Sequence, residues 1–409
     1  MWIPFSMLSD GLSTLLLPQM LLSIADPAGK STALGLITFV GLLAGMLIQP
    51  VAGAFSDGLR PRWGRRGTIW SGILLILAAL TFFGFGAAWG LIAVIIGFLL
   101  IQVTTSVTQA AQQGLLPDLV PPAQRGTAAG VKGLMDLSGA LFGFVLLGQL
   151  LGSGTVTPAL LAIGLILLGA GALTTLLVRE SPGTSALTGP RTSPWAAFRI
   201  NLAEHRQFAR IVACRFLFLL STYMVGRFLL FFVADRLALT PEQAGEQTGT
   251  LLAGLALVTL IAALPCGWAS DRFGRRQLML LGIGLNVAGV LALIFAASAL
   301  QIFMFGALMA LGSAAFASAN WALTADLVPP LEAARFMGLA NFGTAGATAA
   351  AGLFGPLVDW ANGLAPGSGY TALFIAAGVI FLISAVTLLH RHESAQLANR
   401  NQQTKLTEY

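Results

Sequence analysis

Charged residues are scarce in this chain of 409 residues, since Asp, Glu, Lys and Arg together make up only 9%, against roughly 25% in an average soluble domain. So few charges cannot cover a water-facing surface, and 56% of the residues are hydrophobic. The composition therefore predicts an all-α membrane protein and excludes most soluble enzymes and all nucleic-acid-binding modules. We interpret the net charge of +6 as a topology signal and expect no nucleic-acid partner.

Cysteine and histidine are also rare, which narrows the chemistry further. Cys214 and Cys266 both fall in apolar stretches, so we expect neither a disulfide framework nor a structural zinc site. The three histidines, His205, His390 and His392, accompany no nucleophile or metal-ligand pattern. No phosphate-binding loop motif occurs among the 48 glycines. We therefore expect neither an enzyme nor an ATP-driven pump, and no metal or organic cofactor.

Long apolar runs predict twelve membrane spans, because about 20 apolar residues cross a ~30 Å hydrocarbon core. The spans lie near residues 3–25, 31–56, 69–89, 91–116, 128–152, 158–178, 208–233, 244–269, 277–298, 300–325, 333–357 and 370–390. The first run begins at Trp2 without a basic region or a cleavage site. We expect it to remain as a span, not to be removed as a signal peptide.

Lysine and arginine are divided unequally between the two sides of the membrane. Seventeen of the 22 fall in loops on one side, Lys30 and Arg236 lie on the other, and the remaining three lie inside spans. The positive-inside rule predicts that both termini and the longest loop are cytoplasmic. We expect a monomeric, polytopic protein of the plasma (inner) membrane.

The two halves of the chain repeat each other. Asp118–Pro122 recurs as Asp326–Pro330, after spans four and ten. Gly53, Ser56, Asp57, Gly64, Arg65 and Arg66 recur as Gly267, Ser270, Asp271, Gly274, Arg275 and Arg276. Both repeats keep the same side of the membrane, which is typical of transporters with two parallel six-span lobes. The predicted lobes are residues 1–178 and 208–390, with a cytoplasmic linker at 179–207 and a tail at 391–409.

The sequences GAFSD at 53–57, RWGRR at 62–66 and GWASDRFGRR at 267–276 resemble the signature loops of the major facilitator superfamily. Gln49-Pro50-Val51, a first loop four residues longer than the second, and Leu116-Pro117-Asp118 are similar to the sucrose and glycoside-pentoside-hexuronide cation symporters. The resemblance implies twelve helices in two pseudo-symmetric lobes, alternating access, and a central site between spans 1, 4, 5 and 7, 10, 11. It also implies a small-molecule substrate that is a sugar or glycoside. Sodium-coupled members carry an acidic residue where this chain has Gln49, so we expect a proton gradient as the energy source.

Ionisable residues inside spans mark functional pathways because burying a charge in the bilayer is costly. Asp10 lies near mid-bilayer and has no opposite charge on its own span, which favours a role in proton coupling. Lys132 and Asp136 are spaced i, i+4, so they either belong to the pathway or form a structural ion pair within one helix. Arg227 is near enough to the outer end of its span to snorkel, and Arg215 either reaches cytoplasmic water or faces the site.

Span four carries a polar seam of Gln102, Ser106, Gln109 and Gln113, which either recognises a hydroxyl-rich solute or contacts another helix. Asn320, Trp321 and Asn341 would assist recognition, with Trp321 either stacking on a sugar ring or anchoring at the interface. The predicted substrate and proton pathway comprises Asp10, Gln109, Gln113, Lys132, Asp136, Arg215, Tyr223, Asn320, Trp321 and Asn341.

The signature loops are expected to form a cytoplasmic gate. Asp57 and Asp271 lie at helix C-termini, where the helix dipole disfavours an anion, so they require compensation from arginines or from a helix N-terminus. Gly53 and Gly267 are expected to permit close helix approach. The predicted gate comprises Gly53, Asp57, Arg65, Arg66, Asp118, Gly267, Asp271, Arg275, Arg276 and Asp326.

The sequence thus predicts a secondary transporter, with proton-coupled symport of a sugar or glycoside as the favoured function. Proton-driven export of an amphipathic compound is the first alternative, because the many apolar residues allow a large apolar cavity with one acid. The second alternative is a membrane assembly factor built on the same fold without transport activity.

Overall fold

The computed structural model describes residues 1–120, 125–153, 155–177, 205–327 and 333–389. Within helices, only the backbone is described at 50–51, 53–68, 87, 111, 114–119, 125–130, 325, 333–335 and 337–338. The predicted tail and all but the last three residues of the predicted linker lie outside the described residues.

The described backbone is helical almost throughout, as expected for a chain that must satisfy its peptide groups internally in lipid. The helices are α1 Trp2–Gly11, α2 Leu17–Ile24, α3 Lys30–Trp89, α4 Leu91–Leu119, α5 Arg125–Leu151, α6 Thr157–Leu177, α7 Arg206–Leu237, α8 Pro241–Phe273, α9 Arg275–Leu293, α10 Ala299–Asp326, α11 Ala333–Ala350, α12 Gly355–Leu364 and α13 Ser368–Leu389.

Eleven stretches of the described chain are long and apolar enough to cross a membrane. The predicted eleventh span is not among them. In this region α11 ends at Ala350, a 3-10 turn covers Ala351–Phe354, and α12 continues to Leu364. Pro356 lies in the first turn of α12, where its missing N–H costs no helical hydrogen bond. With this broken helix included, the predicted twelve-helix all-α fold is confirmed.

Helix α3 contains two predicted spans that run in opposite directions. In the first span, Gly41 lies against Phe98 of α4 and Gly45 against Ser106, so both helices advance together. In the second span, Gly72 lies against Thr108, whereas Phe83 lies against Gly97. The chain therefore reverses direction between Gly45 and Gly72, although its backbone remains helical throughout.

The first crossing contains a π-helical segment at Leu12–Leu16, between α1 and α2. Such wide turns often occur at functional sites, and this one follows Asp10 directly. The first crossing and α7 are also the most enclosed of these eleven stretches, since 67% of the residues in the apolar part of each are buried. One comes from each predicted lobe, and the two are in contact.

Candidate transport site

Asp10 and Arg227 face each other across the boundary between the predicted lobes. Arg227 of α7 donates from Nη1 to the Ser13 carbonyl of the π-helical segment at 3.4 Å and from Nη2 to the Thr348 carbonyl of α11 at 3.4 Å. Its charge interacts with the Asp10 carboxylate, one turn before Ser13, and with Tyr223. The Asp10 carboxylate accepts no hydrogen bond from another described residue. The Asp10 carboxylate and the Arg227 guanidinium are therefore close to each other but form no direct hydrogen bond.

The prediction that Arg227 snorkels to the outer surface is wrong. The residue is only 5% exposed, and its Nε has no hydrogen-bond partner among the described residues. The seven residues that follow Arg227 on α7, 228–234, are all buried. The position of Arg227 along α7 suggested that its side chain could reach water, but contacts with neighbouring helices bury it.

Lys132 and Asp136 form the ion pair that their spacing allows, with Nζ 2.7 Å from Oδ2. Ser6 of α1 donates to the other carboxylate oxygen, Oδ1, at 3.0 Å, and the ammonium lies 4.5 Å from the centre of the Trp2 ring. These contacts connect α5 to the first crossing within one predicted lobe. The charge of Lys132 is thus balanced locally.

Arg215 of α7 lies at the centre of a polar cluster that α10 and α11 complete. Its Nε donates to Thr344 Oγ1 at 3.0 Å and its Nη1 to Asn320 Oδ1 at 3.0 Å. The guanidinium stacks on the Trp321 ring, with its central carbon 4.1 Å from the ring centre. Arg215 is 8% exposed, so it does not extend to cytoplasmic water, and Trp321 pairs with it instead of serving only as an interface anchor.

Two further predicted residues lie on the same helices. Tyr223 of α7, half-buried, interacts with Thr348 of α11 and with Arg227. Asn341, one turn before Thr344 on α11, is exposed. The structure therefore brings Arg215, Tyr223, Asn320 and Trp321 into one region of the C-terminal half, with Asn341 at its edge. Thr344 and Thr348 complete this region, although nothing in the sequence distinguished them from other threonines.

The polar seam of α4 divides into two parts. Gln102 and Ser106 pack against Gly41 and Gly45 of α3, so this part contacts a helix. The Gln102 side-chain Nε2 is buried there without a partner among the described residues. Gln109 is half-buried and Gln113 is exposed, which leaves these two amides available to a solute.

Polar contacts join the two halves at the end of the bundle that carries Lys30. Lys30 Nζ lies 2.7 Å from Asp235 Oδ1, and the Tyr370 hydroxyl donates to Asp235 Oδ2 at 2.5 Å. Asp359 accepts hydrogen bonds from the first backbone N–H groups of α3, at Ser31 and Thr32, with distances of 3.2 and 2.6 Å. This carboxylate caps the helix N-terminus, where an anion is favoured. Sequence analysis identified none of these contacts.

Pairs of glycines bring the backbones of the two halves together at the same end. A methyl group at Gly35 would overlap the Gly352 carbonyl, and one at Gly249 would overlap the backbone of Gly148. Gln19 also donates from Nε2 to the Pro241 carbonyl at 2.7 Å. The two halves are therefore in contact at this end, which the charge distribution predicts to be the outer end.

Comparison with known proteins agrees with this architecture. The family model described as Major Facilitator Superfamily matches residues 4–245 and 211–408. The chain belongs to the Major Facilitator Superfamily. No curated protein matches the sequence.

Solved structures of superfamily transporters share the fold at low sequence identity. A bacterial homologue of the human lysosomal transporter Spinster, in an inward-facing and occupied conformation, is 13% identical, with a TM-score of 0.68 and 95% of each chain covered. The nucleoside transporter NupG, as a mutant, is 12% identical, with a TM-score of 0.72 and coverage of 95% of this chain and 97% of that chain. These likenesses show the fold, and this chain is a membrane transporter of the superfamily.

The superfamily signature of the second half forms contacts within that half. Arg275 forms an ion pair with Asp326 and donates to the Ala322 carbonyl at 2.8 Å, so it binds the C-terminal end of α10. Arg276 donates to the Leu388 and Leu389 carbonyls at the end of α13. Both arginines therefore neutralise helix C-termini, as the helix dipole favours.

Other signature residues contribute less in this conformation. Asp271 is exposed and forms no ion pair with another described residue. The predicted close helix approach is not seen at Gly267, because a methyl group there would meet no atom of another described residue within 4 Å. Only the backbone is described at the other five predicted gate positions: Gly53, Asp57, Arg65, Arg66 and Asp118.

Proposed function

We propose that this transporter couples proton movement to the uptake of a sugar or glycoside. The observation that carries the proposal is the unbonded Asp10 carboxylate facing Arg227 across the lobe boundary. A proton gradient supplies the energy, so the transporter needs no cofactor.

Asp10 and Arg227 lie on helices that alternating access would move relative to each other. Asp10 belongs to the first crossing of one predicted lobe and Arg227 to α7 of the other. When the lobes rock, the distance between the two side chains changes, and with it the counter-charge that the carboxylate experiences. Asp10 then takes up a proton in one conformation and returns to its ionised form beside Arg227 in the other.

Polar residues on other helices of the two lobes suit a solute rich in hydroxyl groups. Gln109 and Gln113 belong to α4 of one lobe, and Trp321 and Asn341 belong to α10 and α11 of the other. Amide side chains both donate and accept hydrogen bonds, which matches a hydroxyl group. The exposed part of the Trp321 ring, 39% of the side chain, offers an apolar surface for a sugar ring.

Proteoliposomes that contain the purified protein test the proposal. Sugar-dependent proton uptake is measured for a panel of monosaccharides, disaccharides and glycosides with wild type, Asp10→Asn and Asp26→Asn. Asp26 is the matched control because it lies just beyond the same crossing, in the turn after α2, and its carboxylate accepts a hydrogen bond from the backbone N–H of Ala28. We expect Asp10→Asn to abolish sugar-driven proton uptake, whereas Asp26→Asn retains it.

Sugar exchange without net proton movement separates coupling from binding. Asp10→Asn should retain exchange of labelled sugar between the two sides, because exchange requires no deprotonation of the carrier. Proton movement driven by a lipophilic cation and by no sugar would instead support export of amphipathic compounds. Unchanged proton coupling in Asp10→Asn would contradict the proposal.

A further inference from the structure

The charges inside the membrane do not balance in this structure. Lys132 is paired with Asp136, and Arg227 faces Asp10. Arg215 is the third cation inside a predicted span, and the described side chains that it contacts are neutral: Thr344, Asn320 and Trp321. Among the described residues, no carboxylate lies within ion-pair distance of its guanidinium. A buried cation without an anion is costly, so its presence requires a reason.

The neighbours of Arg215 orient it as a receptor. Thr344 and Asn320 each take one N–H, and the Trp321 ring covers one face of the guanidinium. The remaining N–H donors of Arg215 lie in the plane of the guanidinium, where a carboxylate or phosphate forms bidentate hydrogen bonds. Asn320 adds a donor, because its Nδ2 is fully buried and has no partner among the described residues.

The helix that carries Arg215 also favours an anion. From Arg206 to Arg227, α7 contains Arg206, Arg210, Arg215 and Arg227 and no acidic residue. Like-charged side chains along one path raise the local concentration of a ligand of opposite charge. A neutral sugar would leave both the excess charge and the unused donors unsatisfied.

We infer that the transported solute carries one anionic group, a carboxylate or a phosphate, which binds to Arg215 and Asn320 while the hydroxyl-bearing part contacts Trp321 and the amides of α4. This inference rests on the proposed function and specifies its substrate class. Stacking on Trp321 fixes the plane of the guanidinium, so the anionic group is recognised by shape as well as by charge.

Isothermal titration of the purified full-length protein tests the inference with three matched probes: glucose, glucuronate and glucose 6-phosphate. We expect at least one anionic probe to bind at least about tenfold more tightly than glucose, as hydrogen bonds to a charged group imply. Arg215→Gln should remove this preference. Arg236→Gln, which deletes a charge in the last turn of the same helix, where the guanidinium donates to the Ala296 carbonyl, should retain it.

Arg215→Lys keeps the charge but loses the planar fork, so it should reduce the preference without abolishing it. This variant keeps the test valid if Arg215→Gln does not fold. Glucuronate and glucose 6-phosphate distinguish a carboxylate from a phosphate. The inference is overturned if glucose binds as tightly as both anionic probes, if neither anionic probe binds, or if the preference persists in Arg215→Gln.

Proton uptake with the same probes separates this inference from the proposed function. If an anionic probe binds in a way that depends on Arg215 but moves no protons, the anionic substrate class is supported and proton coupling is contradicted. Proton uptake driven by neutral sugars and unchanged in Arg215→Gln would support coupling and overturn the substrate class.

Discussion

Lys30, the first residue of α3, and Asp235, in the last turn of α7, form an ion pair that joins the two halves of the transporter, with Nζ 2.7 Å from Oδ1. The pair is supported on both sides, because Tyr370 donates to the carboxylate and the Phe231 ring lies 5.3 Å below the ammonium. Because the two residues lie on different halves of the chain, opening of this end should separate them. The ion pair therefore stabilises one conformation of the alternating-access cycle over the other.

Lys30→Met is expected to shift the population toward the outward-open state. The side chains of the pair are 13% and 40% exposed, so solvent limits its contribution to about 1 kcal/mol, or roughly a fivefold change in population. Ser31→Cys reports the shift, because Ser31 is fully buried in the closed state. In a background with Cys214→Ala and Cys266→Ala, alkylation of this cysteine should become several-fold faster when Lys30→Met is added.

Two variants check this interpretation. Asp235→Asn should accelerate alkylation to a similar extent, and Tyr370→Phe should have a smaller effect because it removes only the hydroxyl group. An unchanged alkylation rate in Lys30→Met would mean that the ion pair does not contribute to closure.

Gly249→Val is expected to prevent closure of the outer end and to abolish transport. An added side chain at Gly249 would meet the Gly148 backbone and the Phe144 carbonyl, neither of which can move aside by a rotamer change. Gly284→Val is the control, since nothing lies within 4 Å of a methyl group at that position of α9. The measurements are solute exchange and Ser31→Cys alkylation; normal exchange in Gly249→Val would argue against closure through this contact.

A double-mutant cycle over Lys132 and Asp136 should reveal a favourable coupling of about 1 kcal/mol or less. The side chains are 34% and 36% exposed, so solvent screens the pair. Lys132→Met and Asp136→Asn should each lower the thermal unfolding temperature in detergent, and the double variant should recover part of the loss. Strict additivity of the two single effects would exclude an energetically significant pair.

Neutralising Asp10 and Arg227 together should be better tolerated than neutralising either alone. Each single variant leaves the opposite charge inside the membrane without its counter-charge, which lowers the free energy of unfolding. We expect Asp10→Asn/Arg227→Gln to unfold at a higher temperature than Arg227→Gln while remaining unable to couple proton movement. If the double variant is as unstable as the sum of the two single losses, the two charges are not energetically linked.

The crossings themselves could be predicted from the sequence because the bilayer requires about 20 apolar residues whatever their neighbours. The broken helix α11–α12 still appeared as a single apolar run, since hydropathy does not detect a 3-10 turn. The ion pair of Lys132 and Asp136 was an open alternative that followed from helical spacing alone. Arg227 was misjudged because its distance from the helix end says nothing about the phenylalanine residues that enclose it.

The amino-acid sequence by itself determined the twelve crossings, the internal repeat and which charges lie in the membrane, because these depend on local composition and spacing. Only the tertiary structure decided which charges are balanced. The hydrogen-bond partners of Arg215, Arg227 and Asp235 are more than 100 residues away along the chain. Such hydrogen bonds depend on how the helices pack. Closure of the outer end was decided in the same way, since glycine pairs such as Gly35 and Gly352 meet only after both halves have folded.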